Sequence, residues 1–285
     1  MTKYFLPGLL AAVLLMQACN APEPERILVF SKTAGPRHAA VEAGREALAQ
    51  MAEANHWLID TTENAELIAE ENLQRYSAVV FLNTSGAFLN SFQQADLQRY
   101  IQAGGGFAGI HSACETEPDW AWFGELIGAR PDRHETSAAS GIQVIRDVKH
   151  PAIAKIPDGF SWTDEWYHFP ELNAGAALLC TREDENKSVQ PVSWFREFDG
   201  GRSFYTCVGH NPENFRDPVF LNTSKGVSNT PSAIMCAIIP KRPPPARPTR
   251  TGSSKFRWQI PSGWNPSNCP YCPTSISWSS SGAAN

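Results

Sequence analysis

Apolar and polar positions follow two rhythms in the first half of the chain. "RILVFSKT" (26–33) is a continuous apolar run of buried-strand type. "GPRHAAVEAGREALAQMAEAN" then sets Val41, Leu48, Met51 and Ala52 at helical spacing. "HWLIDTT" reads as a second strand, "ENAELIAEENLQRY" as a short helical stretch and "SAVVFLNTS" (77–85) as a third strand. "SFQQADLQRYIQAG" is an amphipathic helix stopped by Gly104 to Gly106, and "GFAGIHSA" is a fourth strand. "PDWAWFGELIG" opens the next helix, with Pro118 near its first turn. After residue 134 the rhythm becomes that of strands: "SGIQVIRD", "AALLCTRE", "PVSWFREFD" and "RSFYTCVGH", the last two joined by a "DGG" hairpin turn (199–201). A closing helix is expected near Asp217. This order predicts an α/β fold: a doubly wound, mostly parallel sheet with helices on both faces and antiparallel additions in the second half.

Such sheets place their sites beyond the carboxyl ends of the strands. The polar residues there are Arg37 and His38 after the first strand, Asn83 and Thr84 after the third, and His111 and Ser112 after the fourth. A lone histidine at a strand end is ordinarily a cap, so its neighbours must decide what His111 does.

Composition divides the chain. The formal net charge is -5 over 285 residues, which argues against a nucleic-acid partner. Residues 223–285 carry seven Lys or Arg and no acid, so residues 1–222 hold 17 basic and 29 acidic residues. That tail also has ten of the 22 prolines, twelve serines and no periodicity. Two readings fit it: a disordered tail, or a frameshifted or mispredicted end. "CPYC" (269–272) has redox spacing but no strand and helix around it.

At the other end, Lys3 and the apolar "YFLPGLLAAVLLMQA" read as an export signal. Ala18 before Cys19 resembles a lipoprotein signal, although Met16 stands where leucine is usual. Residues 1–19 are therefore expected to be a signal peptide and 20–25 a linker, with Cys19 lipidated and holding the protein to a membrane. Simple secretion and an uncleaved anchor are the other readings. Asn20 after the cysteine suits an outer-membrane lipoprotein on the periplasmic face of the cell envelope. The body then holds Cys114, Cys180 and Cys207, and Cys180 with Cys207 is the one disulfide to expect.

"GPRHAAVEAG", "AVVFLNTSG", "YIQAGGGFAGIHSACETEPDWAWFGELIGA", "HPAIAKIPDGFSWTDEWYHF" and "EFDGGRSFYTCVGHNPENFRDPVFL" together resemble the ThuA-like family, named for trehalose utilisation, over roughly residues 26–222. The resemblance implies a fold similar to class I glutamine amidotransferases and a small carbohydrate as substrate or ligand. Those enzymes carry a cysteine at the sharp turn that His111 occupies here; Cys114 lies three residues further on, which speaks against thiol chemistry. The family's motifs add His134, Asp164, Glu165 and His210.

Two or three histidines with a carboxylate, brought from separate loops, are what Zn²⁺ or a similar divalent ion requires. His111, His134 and His210 are the candidate ligands, and His111 and Glu165 the candidate catalytic pair. His38, Asn83, Ser112, Trp120, Asp164 and Trp166 are assigned to substrate binding, the aromatics as faces for a sugar ring. The competing reading makes the histidines sugar contacts and loop tethers, and each aromatic a core residue. His56, His150 and His168 read as structural. A carbohydrate hydrolase and a non-catalytic carbohydrate-binding protein are the two functions to separate. The family's usual helix of the type "GIxWA" after "FL" is replaced here by "NTSKGVSNTPSAIM".

Overall fold

The computed structural model describes residues 24–145, 150–153, 156–157 and 159–221. The expected signal peptide with Cys19, the acid-free tail and "CPYC" lie outside the described residues. The chain order is β1 (Arg26–Phe30), α1 (Val41–Ala54), β2 (Leu58–Thr62), α2 (Glu70–Leu73), β3 (Ala78–Leu82), α3 (Ser91–Gln102), β4 (Gly106–Ile110) and α4 (Ala121–Ile127). It continues with β5 (Arg133–Gly141), β6 (Gln143–Val144), β7 (Ser161–His168), β8 (Ala177–Glu183), β9 (Val189–Phe198), β10 (Gly201–Thr206) and α5 (Pro218–Leu221). Among the described residues, no helix is long and apolar enough to cross a membrane.

One eight-stranded sheet has the order β2-β1-β3-β4-β10-β9-β8-β6. Pairing is parallel from β2 to β10 and antiparallel from β10 to β6. The central strands β3 and β4 are buried along their whole length, which is why they read as unbroken apolar runs rather than alternating ones. Phe81 packs on Phe30, Phe107 and Phe123 at ring-centroid distances of 5.2, 5.3 and 5.6 Å. Each such ring stabilises the fold by about 1.5–3 kcal/mol through burial. The "DGG" turn is a two-residue hairpin in which Asp199 and Gly200 both take positive φ, 48° and 93°.

Register sets the site. Ile110 pairs with Leu82 on one side and Thr206 on the other. The next residue of each chain segment, Asn83, His111 and Cys207, therefore leaves the sheet at one level.

Three expectations need correcting. The helix that "PDWAWFGELIG" was to open begins only at Ala121, after an extended Trp120, with Pro118 just ahead of its first turn. A Cys180–Cys207 bridge is absent, and all three body cysteines are thiols; β9 lies between β8 and β10, so the two residues are not on neighbouring strands. The pattern also missed a second, two-stranded sheet in which β5 and β7 pair antiparallel. β5, "RHETSAASG", is almost wholly exposed and has no apolar face to announce it.

Candidate active site

His111 follows β4 with φ 53°, the left-handed region that a non-glycine residue enters at a cost of about 1–3 kcal/mol. Several contacts hold it there. The Tyr205 hydroxyl donates to the His111 carbonyl at 2.7 Å, and the Cys114 thiol donates to the same oxygen at 3.4 Å. The ring Nδ1 lies 2.9 Å from the Cys207 carbonyl. A carbonyl can only accept, so Nδ1 carries a proton and Nε2 faces the cleft. Behind the ring, Arg130 donates to the carbonyls of Cys114, Thr116 and Glu117 at 2.6, 2.7 and 2.8 Å, fixing the turn that follows.

His38, from the loop after β1, and His210, from the loop after β10, complete a triangle with His111. Ring centroids are 4.9 Å apart for His38 and His111, 5.2 Å for His38 and His210, and 5.2 Å for His111 and His210. The rings stand nearly edge-on to one another. One ligand atom from each of the three lies within 4.8 Å of the other two. Burial, with the charges of His111 and His210, pulls the His38 pKa down to about 4, so its ring is neutral at neutral pH.

Glu165 comes from β7, where the β5–β7 register shifts between Glu135 and Ala138. Its Oε2 is 3.4 Å from His111 Nε2 and 3.2 Å from His210 Nδ1, and its Oε1 is 3.2 Å from His134 Nδ1. His111 beside it, with His210 and His134, holds the Glu165 pKa down to about 2 against the opposing effect of burial. Glu165 is thus a carboxylate under ordinary conditions and serves as base, ligand or charge partner, not as an acid.

The sequence places His134 among the metal ligands. The structure sets it outside the compact triplet, 57% exposed at the mouth and joined to the others through Glu165. His38, assigned to substrate binding, takes its place in the triplet. His111 itself is fully buried beneath the others, so its Nε2 meets the cleft centre rather than open solvent.

Most residues assigned to substrate binding build the site instead of lining it. Asp164 is fully buried; its carboxylate accepts from the backbone amides of Gly209 at 2.7 Å, His210 at 3.1 Å, Asn211 at 3.2 Å and Glu165 at 3.0 Å. Burial pushes its pKa up, and the amides oppose that shift. It leaves no oxygen for a sugar and fixes the loop that carries His210. Asn83 is also fully buried, with φ 50°, and its Nδ2 donates to the Gly209 carbonyl at 2.9 Å. Ser112 is fully buried in the turn behind His111.

Trp166 is 1% exposed, donates to the Ala138 carbonyl and lies under the Arg182 guanidinium at 5.2 Å. Trp120 stacks on Trp122, whose indole donates to Asp199 in the β9–β10 turn, at the opposite end of the sheet from His111. Both tryptophans are packing residues.

The other histidines stay apart from the triplet. His150 stacks on Phe195 at 4.2 Å, and His168 pairs with Asp132 at 2.8 Å. Tyr205 and Arg130, which hold His111 and its turn, carry no local sequence signal. Tyr167, its ring 5.1 Å from His111, forms the wall between His111 and His134.

Comparison with known proteins agrees with this architecture. A thua-like protein from Bacteroides uniformis ATCC 8492 is similar at TM-score 0.60 and 19% identity, over 72% of this chain and 90% of that one. One from Parabacteroides merdae ATCC 43184 is similar at TM-score 0.55 and 18% identity, over 66% and 80%. A β-galactosidase from Rahnella sp. R3 is similar at TM-score 0.50 and 14% identity, over 73% of this chain but 32% of that one. At these identities the likeness concerns the fold alone. No curated protein matches the sequence. The family model ThuA, described as trehalose utilisation, matches residues 26–227. The chain belongs to the ThuA family, and its role is carbohydrate-related.

Proposed function

We propose that the cleft formed by His38, His111, His134, Glu165 and His210 is the active site of a hydrolase acting on a glycoside or modified sugar. The observation that carries this reading is Glu165. One carboxylate, mostly covered, stands within 3.4 Å of nitrogens from three imidazoles at the carboxyl ends of a parallel sheet. Proton transfer needs such groups within hydrogen-bond reach of each other and of substrate. Glu165 supplies the base, and His134 at the mouth supplies a proton carrier. Cys114 is excluded as nucleophile, because it is fully buried and burial pushes its thiol pKa up.

The export signal and Cys19 lead us to place this activity in the cell envelope, on a lipid anchor. Incorporation of labelled fatty acid into the wild-type chain and not into Cys19→Ser tests that part.

The activity is tested by incubating the purified full chain with trehalose and a panel of disaccharides and following released reducing sugar. Turnover that Glu165→Gln lowers by about 100-fold or more supports the reading. Sugar binding by calorimetry with no turnover would overturn the hydrolase in favour of a carbohydrate-binding protein.

A further inference from the structure

We infer that His38, His111 and His210 form a binding site for a divalent transition-metal ion, zinc foremost, with Glu165 as its carboxylate partner. The inference deepens the reading above by naming what the same cleft holds, but its test does not depend on turnover.

His111 offers an electron pair to the centre. His111 Nδ1–H donates to the Cys207 carbonyl, so Nε2 presents its lone pair to the cleft. That Nε2 is fully buried and makes no hydrogen bond, and neither does the buried Nδ1 of His210. Both nitrogens point toward the same carboxylate oxygen, Glu165 Oε2, at 3.4 and 3.2 Å. The bare lone pair of His111 Nε2 facing a carboxylate oxygen at that range is repelled unless a positive centre lies between them. Buried polar atoms without partners are rare in folded proteins, and each calls for a cause such as an ion.

The surroundings match how proteins hold such ions. A ligating histidine almost always donates its second ring nitrogen to a carbonyl or carboxylate, which fixes tautomer and orientation; His111 does this with Cys207. Ligand nitrogens around tetrahedral zinc stand about 3.4 Å apart. The three here lie within 4.8 Å, a difference that small ring rotations close, because His38 and His210 sit on loops and are only half-buried. The chemistry of the donors selects the class of ion. Imidazole nitrogens suit zinc and its transition-metal neighbours and exclude magnesium and calcium, which prefer oxygen. A His₃ set beside one carboxylate, open toward His134, is the arrangement of a working site rather than a closed structural one.

The test uses the full chain, purified without chelator for elemental analysis, then stripped and titrated with zinc chloride in a calorimeter. About one zinc or similar ion per chain is expected, and cobalt(II) in its place should give the strong visible absorption of a tetrahedral nitrogen-ligated ion. His38→Ala and His210→Ala should each weaken zinc binding by about 100-fold or more, and Glu165→Gln by about 10–100-fold. Replacing the remote His56 by alanine should leave binding unchanged. His38 and His210 are on loops, so these variants test the site even if the buried His111→Ala fails to fold.

Two results overturn the inference. One is a wild-type chain that carries no ion and shows no saturable zinc binding; the charge at the centre is then a proton shared between Glu165 and the imidazoles. The other is zinc binding that His38→Ala and His210→Ala both leave intact. Specific zinc binding without turnover of any sugar would sustain this site while defeating the hydrolase.

Discussion

Asp164 is where removing a single carboxylate should do most damage without touching a ring of the histidine triangle. In Asp164→Ala, the amides of Gly209, His210, Asn211 and Glu165 lose their acceptor together. A hydrogen bond to a charged group is worth about 1.5–3 kcal/mol net. The Gly209 amide is buried and loses that in full, whereas those of His210 and Asn211 are partly exposed and recover part of it from water. Against this stands the relief of no longer burying a charge, itself several kcal/mol.

The balance is a loss of about 3 kcal/mol, a large share of the roughly 5–15 kcal/mol that holds a domain together. With a urea dependence of about 2–3 kcal/mol per molar, the unfolding midpoint followed by tryptophan fluorescence should fall by about 1 M. Asp164→Asn keeps the oxygen that serves three amides and turns an NH₂ toward Gly209, so about half the loss is expected. A midpoint shift below about 0.3 M in the alanine variant would refute the reasoning. Loop 209–211 would then be held by Asn83 on the Gly209 carbonyl and by the Asn211 side chain on Thr163.

Three further outcomes follow from the geometry. In the metal-stripped chain, acid should destabilise the protein in two overlapping steps. His38, with a folded pKa of about 4 against 6.5, refuses a proton that the unfolded chain accepts, so stability falls as pH drops through that window. Glu165, at about 2 against 4.5, contributes stability that is complete above the unfolded value and is lost as pH falls toward 2. Melting temperatures against pH should show both limbs, with His38→Gln flattening the upper and Glu165→Gln the lower; parallel curves for all three proteins would contradict these assignments.

Gly209→Ala combines a φ of 140° with a Cβ that would sit 2.9 Å from Ile110 and 3.1 Å from Phe215. It should cost about 2–4 kcal/mol by urea unfolding. Cys114, Cys180 and Cys207 are buried thiols, so alkylation of the folded chain followed by peptide mass spectrometry should find them unmodified. Labelling of Cys114 without unfolding would reopen thiol chemistry.

The eight-stranded sheet was legible because its central strands are buried on both faces, and "ILVF", "AVVFL" and "GFAGI" leave no other reading. The strand ends were legible for the same reason: a parallel sheet brings its carboxyl ends together, and His38 and His111 could be named from that alone. What the sequence could not give was side-chain direction. "TDEWY" marks Asp164, Glu165 and Trp166 alike, yet the first anchors a loop, the second enters the cleft and the third packs into the core. Alternation along β7 sets Glu165 on the face opposite Asp164 and Trp166, but its partner strand β5 is too polar and too small in its residues to show itself. Trp120 and Trp166 had the composition of a sugar platform, but packing is decided by neighbours that the local pattern does not announce, Trp122 for one and Arg182 for the other. His134 and His38 exchanged places for the same reason, since nothing local tells a histidine at the mouth from one at the centre.

The imidazole at position 111 explains why this one turn is so heavily supported. At a sharp turn after a buried strand, a left-handed residue is normally glycine or asparagine, and the adjacent strand end does use asparagine, Asn83, at φ 50°. A bulky ring in that conformation persists only when the surroundings over-determine it. Here they do: Tyr205 and Cys114 hold its carbonyl, Cys207 holds Nδ1, Arg130 holds the turn behind it, and Gly209 leaves out a side chain that would crowd its Cβ at 3.4 Å. Five residues thus converge to present one nitrogen, Nε2, to a centre it shares with the Glu165 carboxylate and the rings of His38 and His210. A structural histidine gains nothing from such an arrangement, because its second nitrogen would be better placed against any hydrogen-bond donor. Strain, burial and an unpartnered lone pair at one atom are costs that a folded chain sustains where that atom has work to do.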